Sequence, residues 1–261
     1  MDYQHILYSK EDGIATITLN RPEVYNALNN QIKVDLKDAF VEARNDSDVR
    51  VIILTGKGPA FCSGQDLKAA QQELKGSHYS DAVRQYYNPL ILAMRNLPKP
   101  IICQLHGIAA GAGCSLALAC DMIIAGEKAS LAELFVGIGL IMDSGSTYFL
   151  PRMIGSLKAF ELASTGRSVP AQEAEQIGLI NRAVPDDQLE AVVQEYARKF
   201  AVAPTKAIGL IKEMLNKSYH MTLPEVLDYE ATMQDQAAST HDHREGIQAF
   251  LEKRKPVFRG S

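Results

Sequence analysis

Two periodicities alternate along the chain. Apolar runs of strand length, Val51-Ile52-Ile53-Leu54-Thr55 and Ile101-Ile102-Cys103-Gln104-Leu105, predict buried strands. Ile32, Leu36, Ala39, Phe40 and Ala43 recur at helical spacing and predict an amphipathic helix over roughly Asn30 to Asn45. Ile6 to Tyr8 and Ile14 to Leu19 flank Glu11-Asp12-Gly13 and read as a hairpin. Lys68 to Ser80 is polar, broken at Lys75-Gly76-Ser77, and reads as a lid-like segment over a pocket. Helical spacing returns from Asp81 to Leu97, and Pro98-Lys99-Pro100 resets the chain into the next strand. After Asp143 the pattern predicts four or five helices, with breaks near Gly166, Pro185, Pro204 and Pro224. The class is therefore α/β, and no linker rich in Gly or Ser divides the chain. Residues 1–200 read as the core and 201–261 as an appended helical segment.

Two glycine-containing turns follow the strands: Phe61-Cys62-Ser63-Gly64-Gln65-Asp66-Leu67 and His106-Gly107-Ile108-Ala109-Ala110-Gly111-Ala112-Gly113-Cys114. Both are expected to leave one edge of one sheet and to bring backbone close to a ligand. The second runs into a helix of small residues, Ala112 to about Cys120, whose first amides have no partner inside the helix. Two converging N–H groups would form an oxyanion hole and stabilise charge developing on a carbonyl oxygen. On the residues alone, turns of this kind also serve tight packing.

With Leu19-Asn20-Arg21-Pro22 and Asn26-Ala27-Leu28 before them and Cys120-Asp121-Met122-Ile123-Ile124-Ala125 after, these turns resemble the crotonase (enoyl-CoA hydratase/isomerase) superfamily. The resemblance continues through Gly139-Leu140-Ile141-Met142-Asp143-Ser144-Gly145-Ser146-Thr147, Leu150-Pro151-Arg152, Gly178-Leu179-Ile180 and Arg244-Glu245-Gly246, and so covers nearly the whole chain. It implies the crotonase fold, a ClpP-like spiral of ββα units with a helical C-terminal trimerisation segment. It also implies an oxyanion hole made by the amides of Gln65 and Ala112. Asp66 reads as a turn-forming or capping carboxylate.

Superfamily hydratases hold a water between two glutamates, and the matching positions here are Ser115 and Phe135. Glu133 is two residues off that register. Asp143 remains, at a position where related isomerases carry their acid; on sequence alone it also reads as a cap of the following helix. The nearest resemblance is to the isomerases of bacterial phenylacetyl-CoA degradation, which share Tyr87-Asn88-Pro89-Leu90, Leu97-Pro98-Lys99-Pro100 and the Asp143 segment. Met142 stands where a proline is usual, and Ser146 where a glycine is usual. The implied activity is transfer of a double bond from C3–C4 to C2–C3 of an acyl-CoA, or isomerisation of a ring-epoxide phenylacetyl-CoA. The alternatives are an enoyl-CoA hydratase and a non-catalytic acyl-CoA binder. Phe135, Leu140 and Met142 would line the acyl pocket. Val24, Ala27, Gly64, Asp66 and Leu67 would cradle coenzyme A through their backbone, and Lys253 and Phe258 would reach a neighbour's coenzyme A in a homotrimer or dimer of trimers.

Composition narrows the rest. A net charge of −4 offers no general case for nucleic acid or an anionic membrane, and no basic-aromatic stripe supports an RNA-binding role. No apolar run approaches a membrane span, and Met1-Asp2-Tyr3-Gln4-His5 shows no secretory signal. Cys62, Cys103, Cys114 and Cys120 lack metal-ligand spacing and read as reduced thiols of a cytoplasmic protein. His241 and His243 flank Asp242 at an expected helix start and read as solvated neighbours of a cap, so no metal is expected. Gly107-x-x-x-Gly111-x-Gly113 resembles the glycine pattern of short-chain dehydrogenases, but none of the 10 tyrosines has a lysine four residues on. No cofactor is expected, coenzyme A being part of the substrate.

Overall fold

The computed structural model describes residues 3–73 and 78–261. In chain order the elements are β1 (Ile6–Glu11), β2 (Ile14–Leu19), α1 (Asn30–Asn45), β3 (Val51–Gly56), α2 (Leu67–Glu73), α3 (Tyr79–Ala82), α4 (Asn88–Arg95), β4 (Ile101–Leu105), β5 (Ile108–Ala110), α5 (Ala112–Leu118), β6 (Met122–Gly126), β7 (Ser130–Ala132), α6 (Ser146–Thr165), β8 (Val169–Pro170), α7 (Ala171–Gln176), β9 (Arg182–Val184), α8 (Leu189–Ala201), α9 (Thr205–Ser218), α10 (Leu223–Ala238) and α11 (His241–Leu251).

The hairpin closes at Asp12 and Gly13, both at positive φ, which matches the right-handed twist of β1 and β2. The larger sheet runs β1-β2-β3-β4-β6-β9, parallel from β2 onward. Every residue of β3 is buried, because both sheet faces are covered. Ile52 and Leu54 face the core that contains Leu36 and Phe40 of α1, whereas Val51 and Ile53 face Val193 and Ala197 of α8. A smaller sheet, β5-β7-β8, lies in the second strand layer. Successive units place one strand in the large sheet, one in the small sheet and then a helix: β4, β5, α5, followed by β6, β7, α6. Cys62 bridges Ala109 and so adds the first turn to this layer.

The C-terminal helices begin just after residue 200, where α8 ends, but they are tied to the core. The Lys212 ammonium on α9 is buried and donates to Asp121 Oδ2 at 2.7 Å, to Met94 O at 2.9 Å and to Lys99 O at 3.2 Å. Asp121 also takes Arg95 at 3.2 Å and the Ile101 amide at 2.9 Å. Removing one partner of a buried ion pair costs about 3–5 kcal/mol, and Asp121 keeps two partners, so Lys212→Met should cost about 3 kcal/mol. Urea unfolding tests this; a loss below about 1 kcal/mol would mean the pair does not hold α9.

Six helices follow Asp143 rather than four or five, and β8 and β9 interrupt them. The two strands are too short to show a period and exist through pairing with β7 and β6. The break expected near Pro224 separates α9 from α10, and Pro224 itself lies in the first turn of α10, where its missing N–H costs nothing. The stretch from Asp81 to Leu97 is helical with a π-turn at Val83–Tyr87, directly before Pro89 in the first turn of α4. The lid-like segment Lys68 to Ser80 begins within helix α2 and ends within helix α3, and its Lys75-Gly76-Ser77 lies outside the described residues. Asp242 is not the cap of α11: Thr240 caps that helix by accepting the His243 amide, and Asp242 is buried and accepts the Arg259 and Gly260 amides, each at 2.7 Å. Among the described residues, no helix is long and apolar enough to cross a membrane.

Candidate active site

β3 and β4 are parallel neighbours, so the turns that follow them leave the same sheet edge. The turns interlock through backbone: the Cys62 amide donates to Ile108 O at 3.0 Å, and the Ala110 amide to Cys62 O at 2.9 Å. Glycine is required where they meet. A Cβ on Gly64, which has φ +97°, would lie 2.7 Å from the Ala110 oxygen and 3.5 Å from the Ala112 nitrogen. One on Gly113 would lie 2.4 Å from the Cys62 oxygen. A close approach of this kind places Gln65, next to Gly64, beside Ala112, the first residue of α5.

On its other side the first turn pairs with Leu28, whose amide donates to Gly64 O at 2.7 Å and whose oxygen accepts the Asp66 amide at 3.0 Å. Alternate amides of an extended chain point opposite ways, so the Gln65 N–H faces away from Leu28. Neither the Gln65 nor the Ala112 amide donates to an acceptor among the described residues. Two adjacent, unoccupied N–H donors are what an oxyanion would need. Because α5 is short, these amides rather than a helix dipole would meet the charge.

The segment Val24 to Ala27 folds against the same turn. Tyr25 and Asn26 take positive φ, Ser63 donates its amide to Tyr25 O at 2.9 Å, and the buried Asn26 amide group donates to Ala60 O at 2.7 Å and Lys57 O at 3.0 Å. Val24, Ala27, Gly64, Asp66 and Leu67 thus come together. The Asp66 carboxylate accepts the Ala69 amide at 3.0 Å, within α2, and pairs with Arg21 at 3.0 Å. Burial pushes its pKa up, but the Ala69 amide and Arg21 together outweigh that and hold it below the usual range. Lys253 and Phe258 are not brought to these turns. Phe258 lines a cavity of about 430 Å³ with Pro204, Lys206, Gly246 and Phe250, and none of the residues lining it belongs to either turn.

Asp143 is partly buried in the turn that leads into α6 and accepts Ser144 Oγ–H at 2.8 Å. Burial raises its pKa, opposed by the Ser144 hydrogen bond and the positive charge of Lys33. Phe135 is buried in the main core, and Leu140 and Met142 pack on that core at its edge. Lys33 was not singled out in the sequence, although the signal was present: it shares a helical stripe with Leu36 and Phe40. Its ammonium is buried, donates to Gln65 Oε1 at 3.2 Å and sits 4.2 Å from the Tyr87 ring centroid. The Tyr87 hydroxyl donates to the same Gln65 oxygen.

Glu133, off register in the sequence, is brought in by the fold. It is 3% exposed, and its Oε1 lies 2.7 Å from Ser146 Oγ, which in turn lies 2.7 Å from Ser115 Oγ. Burial raises its pKa to about 7, against the lowering effects of Ser146 and Cys114, with the Asp143 charge adding to the rise. The four cysteines are free and buried. Burial pushes the Cys62 thiol up to about 12 and those of Cys103 and Cys114 well above the usual thiol range, so these three are not nucleophiles at neutral pH.

Residues 9–261 match the sequence model of the enoyl-CoA hydratase/isomerase family. The chain belongs to that family, and its architecture is the crotonase fold. It is 40% identical to the 1,2-epoxyphenylacetyl-CoA isomerase of Escherichia coli, over 98% of this chain and 99% of that one. A Rhodobacter capsulatus protein named as a probable enoyl-CoA hydratase is 41% identical over the full length of both. The crystal structure of an enoyl-CoA hydratase from Bacillus anthracis superposes with a TM-score of 0.90 at 36% identity, covering 99% of this chain and all of the other. The protein is accordingly an enzyme of the crotonase superfamily, with hydratase/isomerase chemistry.

Proposed function

We propose that the chain is an acyl-CoA isomerase that works through a thioester enolate. The observation that carries this reading is the pair of free, adjacent amides of Gln65 and Ala112, with Asp143 as the partly exposed carboxylate of the site and Ser115 and Phe135 buried at the two hydratase positions. Asp143, ionised, removes a proton from C2 of a 3-enoyl thioester. The C2–H electron pair passes into the dienolate, whose oxygen the two amides hold. Return of the proton at C4 leaves the double bond at C2–C3 and Asp143 ionised again. The same hole and carboxylate suit a ring-epoxide thioester, a reading favoured by the name of the Escherichia coli relative. Coenzyme A is part of the substrate, and no separate cofactor enters.

Hydration needs a carboxylate that orients water, and Ser115 and Phe135 supply none. Isomerisation of 3-enoyl-CoA should therefore exceed hydration of 2-enoyl-CoA by at least about a hundredfold, the scale of one missing acid–base group. Absorbance of the 2-enoyl thioester follows both reactions; its rapid loss with the purified protein would favour the hydratase. Large apolar side chains stand exposed at Ile141, Leu157, Phe160 and Phe250, which suits burial in a homotrimer or a dimer of trimers and gives Lys253 and Phe258 a route to a neighbour's coenzyme A. Unpaired, buried thiols suit a reducing cytoplasm.

A further inference from the structure

Two departures from the superfamily pattern, Ser115 and Ser146, meet the off-register Glu133 in one buried chain of hydroxyls and carboxylate. Ser115 lies on α5, the helix that begins with the hole residue Ala112. Ser146 begins α6, and its amide donates to Asp143 O at 3.1 Å, closing the turn that carries the base. Ser115 and Ser146 are fully buried, and Ser146 Oγ is 2.7 Å from both Ser115 Oγ and Glu133 Oε1. Ser115 Oγ donates to Gly111 O at 3.3 Å, and the single Ser146 proton goes to Glu133 when that carboxyl is ionised and to Ser115 when Glu133 carries a proton to give to Ser146. The other Glu133 oxygen, Oε2, is buried without a hydrogen-bond partner among the described residues. A buried carboxylate with one oxygen unpaired carries a large desolvation cost that a proton removes. Glu133 thus connects the helix that supplies the hole to the helix that follows the base.

We propose that Glu133 is a positioning residue of this site: in its neutral form it ties α5 to α6 through Ser146 and Ser115, and its ionisation places a second negative charge beside Asp143 and the hole. The inference rests on the enolate reading above. Negative charge there opposes formation of the enolate, so the form with Glu133 protonated and Asp143 ionised is the active one. The groups that face this pair are Cys114 on α5, held neutral by burial, and Lys33 on α1, which acts on Asp143. Glu133 is the facing group that titrates near neutrality.

The pH dependence of kcat/KM for 3-enoyl-CoA isomerisation tests this. Wild type should give a bell whose alkaline limb has its midpoint at about 7 and falls about tenfold per pH unit. Glu133→Gln keeps an acceptor for Ser146 and removes the titration, so the ratio of variant to wild-type activity should climb at least about tenfold through that limb. Ser146→Ala, the second variant, deletes a hydrogen bond that lowers the Glu133 pKa, so its limb should move to higher pH. A Glu133 with only a structural role would lower activity by one factor at every pH and leave the midpoint in place; that result overturns the inference. Wild-type turnover without an alkaline limb overturns it alone, whereas failure to turn over any 3-enoyl thioester overturns the enolate reading beneath it.

Discussion

Asp143→Asn is expected to lower kcat for 3-enoyl-CoA isomerisation by about 10²–10⁴-fold while acyl-CoA affinity stays within a few-fold. Asparagine keeps the shape and still accepts the Ser144 hydroxyl, bonded to Asp143 at 2.8 Å, but it cannot take the C2 proton. The surroundings of Asp143 suit a general base. Burial raises its pKa and makes its carboxylate a stronger base, while Ser144 and Lys33 oppose the rise. The same upward shift moves the acid limb of the pH profile above the ordinary aspartate range. Single-turnover kinetics with calorimetric binding separates the two quantities. Wild-type turnover in the variant would remove Asp143 from the mechanism.

Ala112→Pro removes one of the two amides proposed to hold the enolate oxygen and leaves the rest of the site in place. Proline is tolerated at the first position of a helix, where its missing N–H has no helical partner and its φ is already suitable, and Ala112 opens α5. The preceding residue is Gly111, whose permissive backbone accommodates the restriction that proline imposes on its neighbour. Loss of one donor should cost about 2.7–4 kcal/mol of transition-state stabilisation, or about 10²–10³ in kcat. Circular dichroism establishes that the fold is retained. A folded variant with unchanged kcat would locate the oxyanion elsewhere.

Both changes concern positions whose surroundings were largely legible in the chain itself. Asp12-Gly13 announces a tight hairpin turn because few other residue pairs take positive φ twice. The apolar stripe of α1 and the runs that become β3 and β4 follow from burial on one helix face and on two sheet faces. The spacing of the two glycine turns carries their close approach, because Gly64 and Gly113 mark contacts where a Cβ would strike backbone. These are local signals: each is written within one turn or one element. What they leave out is partnership.

Ser115, Glu133 and Ser146 look unrelated in the sequence until the fold stacks α5 against α6 and closes a hydrogen-bonded chain between them. Lys33 disturbs an apolar stripe, and only the approach of Gln65 and Tyr87 gives it a role. Lys212 finds Asp121 at a separation of 91 residues, and β9 is a strand because β6 offers it an edge. The sequence by itself determined the elements, the two turns and the residue types available for chemistry, since backbone conformation and one-sided burial leave a periodic trace. The tertiary structure alone decided which buried polar groups meet, and so which carboxyl has its pKa raised by burial to about 7. A buried charge must be met by partners that pack around it, and neither its cost nor its partners follow any local period.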